Sequence, residues 1–363
     1  MMEVKMTEKL EMDELAARLG VPGLAFRPVR GEEDYALIAD VFNRSDEADG
    51  LDYVVTVEQI ANRFAYRTDF DLSRDTILAE VGGKPVGYGE VGWHRETEGA
   101  WIYRLYVSVV AEWRTERIWE AMLEYCERRL RQIAAGHQAE GPRFFSTYAD
   151  DRQQQWMELV RSRGYRPVRY FYEMMRDHLE ELPPAPLPPG LEVRPVRPEH
   201  YRAIWEANEE AFRDHWGHSE PKEERFQRWL EHPHFAPELW QVAWDGDQVA
   251  GVAINVIDEE ENRAFNRKRG YVDELSVRRP WRGRGLGRAL LVRSLALLRD
   301  RGMTEVVLGV DTENPTGALR LYESVGFRPI QQGAVWRKPL VGEEEPRSHG
   351  GHRGTPREAP KTP

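Results

Sequence analysis

"RPWRGRGLGRALL", Arg279–Leu291, sets three glycines, Gly283, Gly285 and Gly287, between an apolar stretch and an amphipathic one. The stretch before it, "GYVDELSV" (270–277), reads as a strand. The stretch after it carries leucines at helical spacing and stops at Gly302. The predicted order is therefore strand, glycine-rich loop, helix. Glycine lets backbone N–H groups turn inward with no Cβ in the way. A helix N-terminus adds unpaired donors and a partial positive charge. Arg282, Arg284 and Arg288 add full charges. Together, residues 282–288, Leu286 included, predict a cradle for an anion such as a pyrophosphate.

Outward from this corner, the second half of the chain parses into alternating elements. "LEVRPV" (191–196) is a strand, and "EHYRAIWEANEEAF" (199–212) a helix with Tyr201, Ile204, Trp205, Ala211 and Phe212 on one face. "LWQVAWDGDQVAGVAINVI" (239–257) is a hairpin turning at "DGD". Beyond the loop and its helix come a strand "TEVVLGV" (304–310), a helix "NPTGALRLYESVG" (314–326) and a strand "AVWRKPL" (334–340). This order predicts an α/β fold of the α+β kind, a mixed sheet flanked by helices.

The same pattern occurs earlier. "PGLAFRPVR" (22–30) returns as "PGLEVRPVR" (189–197), with seven of nine letters kept. "TILAEVGGKPVGYGEVGW" (76–93) is a second hairpin, "WIYRLYVSV" (101–109) a second strand before the corner, and "ELVRSRGYRP" (158–167) parallels "RLYESVGFRP" (320–329). One domain is written twice. The expected organisation is an exposed acidic helix at 1–20, a first copy at 21–180 and a stiff proline-rich linker at 181–190. A second copy at 191–340 and a disordered tail at 341–363 complete it.

Composition bounds the function. The chain has 363 residues, 40% hydrophobic and 31% charged, with a formal net charge of −11. That charge argues against a nucleic-acid partner. No apolar run is long enough to span a bilayer, and no signal core opens the chain. One cysteine, Cys126, excludes an internal disulfide and fits a cytoplasmic location; it sits at helical spacing with Met122, Leu123 and Leu130 and reads as a core residue. "HPH" (232–234) and "HGGH" (349–352) lack partners at metal-ligand spacing, so no metal is expected.

The loop "RGRGLG" and the later "ENPTGALRLYESVGF" (313–327) resemble the paired motifs of the GNAT superfamily of N-acetyltransferases. The duplicated layout resembles the tandem type to which mycothiol synthase belongs, in which the C-terminal copy is catalytic. The resemblance implies two tandem GNAT domains with acetyl-CoA as cosubstrate. It implies that Arg282, Gly283, Arg284, Gly285, Leu286, Gly287 and Arg288 hold the pyrophosphate. Backbone at Leu275 and Val277, and Asn314, meet the pantetheine arm. Tyr322 protonates the departing thiolate. The segment "AFRDHWGHSE" (211–220) also looks like one frequent in tandem members, which makes Asp214, His215 and Trp216 candidates for the acceptor pocket.

An alkylammonium must lose a proton before it attacks a thioester, which calls for a base or a water relay. Glu274, on the strand before the loop, is the first candidate; Asp214 and His215 are in reserve. The lone cysteine lies in the first copy, so direct transfer without a covalent intermediate is expected. Laid on the second copy, the first has Thr115, Arg117 and Trp119 at the three glycines, Glu116 and Glu120 at two arginines, and Val160 at Tyr322. Apolar positions survive, with Ile118 at Leu286 and Met122 at Leu290. The first copy is expected to fold without acting. The expected function is acetyl transfer to a primary amine, on a small molecule or a peptide. Transfer of another acyl group such as succinyl, or a non-catalytic acyl-CoA sensor, are the alternatives.

Overall fold

A computed structural model describes residues 2–138, 140–314 and 316–340. The expected tail at 341–363 lies outside them. The first half runs α1 (Met2–Leu19), β1 (Leu24–Arg27), α2 (Tyr35–Ala48), α3 (Val57–Phe64), β2 (Thr76–Val81), β3 (Lys84–Arg95), β4 (Trp101–Val109), α4 (Ile118–Ala135), β5 (Arg143–Asp150), α5 (Gln154–Ser162) and β6 (Arg166–Arg176). The second half runs β7 (Glu192–Val193), α6 (Tyr201–Phe212), α7 (Glu223–Leu230), β8 (Gln241–Asp245), β9 (Gln248–Val256), α8 (Glu259–Ala264), β10 (Arg269–Val277), α9 (Leu286–Asp300), β11 (Glu305–Asp311), α10 (Ala318–Ser324) and β12 (Arg328–Pro339). The mixed α/β fold of two similarly ordered halves is therefore present, with the corner at strand, loop and helix as read.

The strands form one continuous sheet in the order β1-β2-β3-β4-β5-β12-β6-β11-β10-β9-β8-β7. The order shows that the two halves exchange their last strands. β12 pairs antiparallel with β5 of the first half, from Gly333↔Asp150 to Pro339↔Phe144. β6 pairs antiparallel with β11 of the second half, from Val306↔Arg176 to Asp311↔Phe171. β6 and β12 then lie against each other at the centre. The cores follow the exchange. Met174 of β6 is fully buried among second-half residues such as Leu291 and Val306, while Ala334 and Trp336 of β12 are buried in the first-half core. Burying a side chain of that size contributes roughly 2–3 kcal/mol, so each half is stabilised by a strand from the other.

Three local expectations are corrected. Helix α1 is not simply exposed: Met12 and Leu15 enter the first-half core. The proline-rich segment is extended but not a free spacer, since Leu182 and Ala185 pack on the second-half core and Leu187 beside Leu286 and Leu290. Helix α10 begins four residues later than "NPTG" suggests, because Gly317 takes φ 74° and starts the helix there. Cys126 is a buried core residue whose thiol burial pushes up. Among the described residues no helix is long and apolar enough to cross a membrane.

Candidate active site

The corner at 282–288 is built by backbone. Gly283 has φ 72° and Gly285 has φ 85°, values that side chains with a Cβ rarely adopt. No atom lies within 4 Å of where a Cβ would stand on either, so the space above the loop is open. Gly285 caps α9. Leu286 turns its side chain into the core, which leaves the first-turn N–H groups facing out. Gly287 is helical, and a Cβ there would meet Leu321 and Val277 at ordinary contact, 3.6 and 3.7 Å. Arg284 is exposed. Arg288 donates to the Pro184 carbonyl at 3.1 Å.

Strand β10 supplies the other wall. It pairs in parallel with β11 only over Arg269–Tyr271. Beyond Tyr271 the two strands part, so Leu275 and Val277 keep only the β9 partners Ala253 and Gly251. A bulge at Asp273 offsets the register on the β9 side. Glu274 follows the bulge, half-buried, and Asn208 of α6 donates to its carboxylate. Burial, and then the neighbouring Asp273, push the Glu274 carboxyl up to about 7. It lines a cavity of about 190 Å³ with Asn62, Trp205, Asn208, Arg228, Trp229 and His232. Asn62 comes from the first half, so both halves wall this cavity.

Tyr322 is buried in the cluster that also holds Leu291 and Leu275. Its ring lies 6.2 Å from Phe327, and burial pushes its hydroxyl up to about 12. The phenol therefore keeps its proton across the neutral range.

The remaining sequence candidates are held by other tasks. Arg282 donates to the Val277 carbonyl at 2.8 Å, to Asp214 at 2.7 Å and to the Ala211 carbonyl at 2.8 Å. It ties the end of β10 to the end of α6, and its guanidinium is spent inside the protein. Asp214 also receives Arg279, and these two partners hold its carboxyl well below the usual range. It is an ion-pair anchor with no basicity near neutral pH. His215 packs edge-on against Phe212, 4.5 Å between centroids, and burial pulls its pKa down. Trp216 lies under Arg337 of β12 and Arg169 of β6, and His218 meets Thr97 of the first half at 2.8 Å. This segment docks the halves together. Asn314 accepts from the Thr316 N–H and hydroxyl at 2.8 and 2.6 Å, closing a turn before α10.

The equivalent corner in the first half is filled. β4 and β5 also pair only at their beginnings, Trp101–Arg104 with Arg143–Ser146, and then part. Trp119, at the place of Gly287, donates its indole N–H to the Val107 carbonyl of β4 at 3.2 Å. Trp156, at the place of Ala318, donates to the Tyr148 carbonyl of β5 at 3.2 Å. The two rings stack at 5.3 Å and bridge the gap that the second half leaves open.

Sequence reading missed Asn208, Trp205, Trp229 and Asn62. Only the "HPH" loop pointed near the cavity, and His232 lines it. Trp205 and Asn208 sit on the helix read for its apolar face, Asn62 and Trp229 on α3 and α7, to which the sequence reading assigned no element, and the cavity comes from packing across halves. Among the described residues no group of three or more His, Cys, Asp or Glu is placed to hold a metal.

Residues 201–327 match the acetyltransferase (GNAT) family. The chain is 27% identical over 315 residues to a mycothiol acetyltransferase of Catenulispora acidiphila, covering 84% of this chain and 95% of that protein. Further proteins of that name match over about half of their own length. A crystal structure of a GCN5-related N-acetyltransferase from Sphaerobacter thermophilus superposes with a TM-score of 0.64 at 27% identity, over 87% of this chain and 96% of that one. A tandem GNAT protein from the clavulanic acid biosynthesis pathway superposes with a TM-score of 0.60 at 14% identity, over 88% of this chain and 100% of that one, which speaks for the fold alone.

Proposed function

We propose that the chain works as an acetyltransferase of the GNAT kind, as the match over residues 201–327 and its relatives support, and that it transfers an acetyl group from acetyl-CoA directly to a primary amine at its second half. The observation that carries this reading is the open corner. Gly283 and Gly285 leave free space above the α9 N-terminus, and the first half fills the matching gap with Trp119 and Trp156. An anionic, arm-bearing cosubstrate fits the open corner and not the filled one.

The chain's own groups take separate parts. The first-turn N–H groups of α9 and Arg284 bind the pyrophosphate. Arg282 fixes the corner's shape from behind. Backbone at Leu275 and Val277, on the side where β11 has parted, orients the arm and the thioester. Glu274 takes a proton from the ammonium, and a carboxyl near 7 suits a base working at neutral pH. The amine nitrogen forms the new bond to the acetyl carbon, and the carbon–sulfur bond breaks. Tyr322 gives its proton to the sulfur, and the second proton that the nitrogen sheds as the amide forms passes through solvent to restore the phenol. The mycothiol acetyltransferases among its relatives support a small-molecule acceptor.

The test is thiol release from acetyl-CoA over a library of amines, with Tyr322→Phe beside the wild type. Loss of the hydroxyl should lower kcat by roughly 10²-fold or more and leave acetyl-CoA affinity near wild type. Wild-type turnover in Tyr322→Phe returns that residue to the core. Tight acetyl-CoA binding without release for any amine favours the sensor, and faster release from succinyl-CoA favours the other acyl group.

A further inference from the structure

The cavity at Glu274 does not end there. Asn62, Arg228 and His232 are shared walls with a larger cleft of about 640 Å³ in the first half. That cleft lies where β4 and β5 part. Four arginines line it: Arg63, Arg67, Arg104 and Arg228. One lining carboxylate, Glu90, faces them, 2.8 Å from Arg63 and 3.8 Å from Arg67. Among the described residues the guanidiniums of Arg104 and Arg228 make no ion pair and no hydrogen bond; Glu90 and Glu224 act on them only at longer range. Desolvation within the cleft and the neighbouring arginines lower both from the usual arginine value, but the Arg104 side chain is exposed and that of Arg228 half-buried, and arginine stays protonated in proteins. The cleft thus holds three surplus positive charges in a chain whose formal net charge is −11.

Folding does not require such a cluster. Arg104 comes from β4 and Arg228 from α7 of the other half, so docking the halves brings like charges together. That arrangement costs free energy unless an anion joins it. Tyr106 and Tyr148 line the same cleft and remain 42% and 39% exposed, which offers an apolar body a place beside the charges. Low-dielectric walls focus the local field despite the acidic surface elsewhere.

Resting on the transferase reading above, we propose that the acceptor is an amine that also bears an oxyanion, a carboxylate or a phosphate. The oxyanion seats against Arg104, Arg228 and Arg67 in the first-half cleft, and the amine reaches Glu274 through the shared wall at Asn62 and His232. The first half then sets acceptor specificity while its own corner stays closed to cosubstrate.

Two experiments on the full chain test this. The first reads binding without catalysis: thermal unfolding of wild type, Arg104→Gln and Arg228→Gln with added inorganic phosphate or with 4-aminobutyrate. The expected result is a rise in wild-type Tm with at least one anion, lost in both variants. Equal shifts in all three proteins overturn the site, and a normal melting curve without ligand shows that the variants fold. The second compares matched acceptors of increasing length in thiol release: ω-amino carboxylates against their amides, and aminoalkyl phosphates against amino alcohols. The anionic members should show at least tenfold higher kcat/KM, mostly through KM, and Arg104→Gln should remove the preference. The better of the two anionic series identifies the oxyanion. Equal rates for neutral and anionic acceptors overturn the proposal while leaving the transferase reading intact. No release from any amine, with Arg104-dependent anion binding present, counts against the transferase reading and for the anion site.

Discussion

The two corners, Arg114–Met122 and Arg282–Leu290, share one frame and differ in what fills it. In each, an arginine closes the frame from behind. Arg114 donates to the Val109 carbonyl at 2.9 Å, to the Ser45 carbonyl at 3.1 Å and to Asp49 at 2.6 Å. Arg282 does the same with Val277, Ala211 and Asp214. The arginine persists in the copy that has lost its glycines because its partners are inside the fold. In front of the frame the copies diverge. The second half has Gly287 and Ala318 where the first has the stacked Trp119 and Trp156. Glu274 stands where the first half has Tyr106, and Tyr322 where it has Val160. A charged residue beside an anion-binding loop is thus not a ligand by proximity; its partners decide.

The largest effect should come from cutting the halves apart. Residues 191–340 alone lack β6, which leaves β11 with a bare edge and Met174's place in the core empty. Far-UV circular dichroism and acetyl-CoA titration should show no cooperative unfolding and no binding, with both restored by co-expression with residues 1–190. A folded fragment that binds would mean that the strand exchange is dispensable. Next comes Gly285→Glu. A left-handed φ costs a residue with Cβ roughly 1–2 kcal/mol, and a carboxylate then faces the proposed phosphates. Calorimetry should show acetyl-CoA affinity reduced about a hundredfold or more, whereas Trp119→Ala in the first half leaves it unchanged. Binding lost in Trp119→Ala instead would assign the cosubstrate to the wrong copy.

The pH profile is the third test. Glu274 must be ionised to take a proton, and its carboxyl sits at about 7. Below that value kcat/KM should fall about tenfold per pH unit, and Glu274→Gln should lower the rate and remove this limb. An unchanged limb in Glu274→Gln moves the base elsewhere. The smallest effect belongs to Arg117, which takes φ 58° at the place of Gly285. Arg117→Gly relieves that conformation and should raise stability by about 0.5 kcal/mol, the strain released exceeding the added freedom of the unfolded chain. Denaturant unfolding measures it; a loss of stability would show that the arginine side chain holds the corner.

The strand–loop–helix order, the duplication and the positions of Gly283, Gly285, Glu274 and Tyr322 were legible in the sequence. The order, the duplication and the glycines depend on local rules: helical spacing of Leu286, Leu290 and Leu298, the φ freedom of glycine, and letters repeated between halves; Tyr322 was singled out by the family resemblance and Glu274 by its place on the strand before the loop. The inward commitment of Arg282, Asp214 and Asn314 was not legible. Their hydrogen-bond partners lie on other elements or in a turn whose closure depends on exact placement. The cationic cleft is the extreme case. Arg63, Arg67, Arg104 and Arg228 are spread over 166 positions of a chain rich in arginine, from Arg63 to Arg228, and nothing local distinguishes them from solvated surface charges.

Sequence by itself determined that this chain is one GNAT-like unit written twice and that one copy kept an open corner, because backbone conformation and apolar periodicity are encoded within a few residues. Tertiary structure decided that β6 and β12 change places, that Trp119 and Trp156 close the first corner, and that arginines from both halves meet in the cleft adjoining the Glu274 cavity. Strand partners and charge neighbours are set by long-range packing, where the free energy of a group depends on what the rest of the chain brings to it.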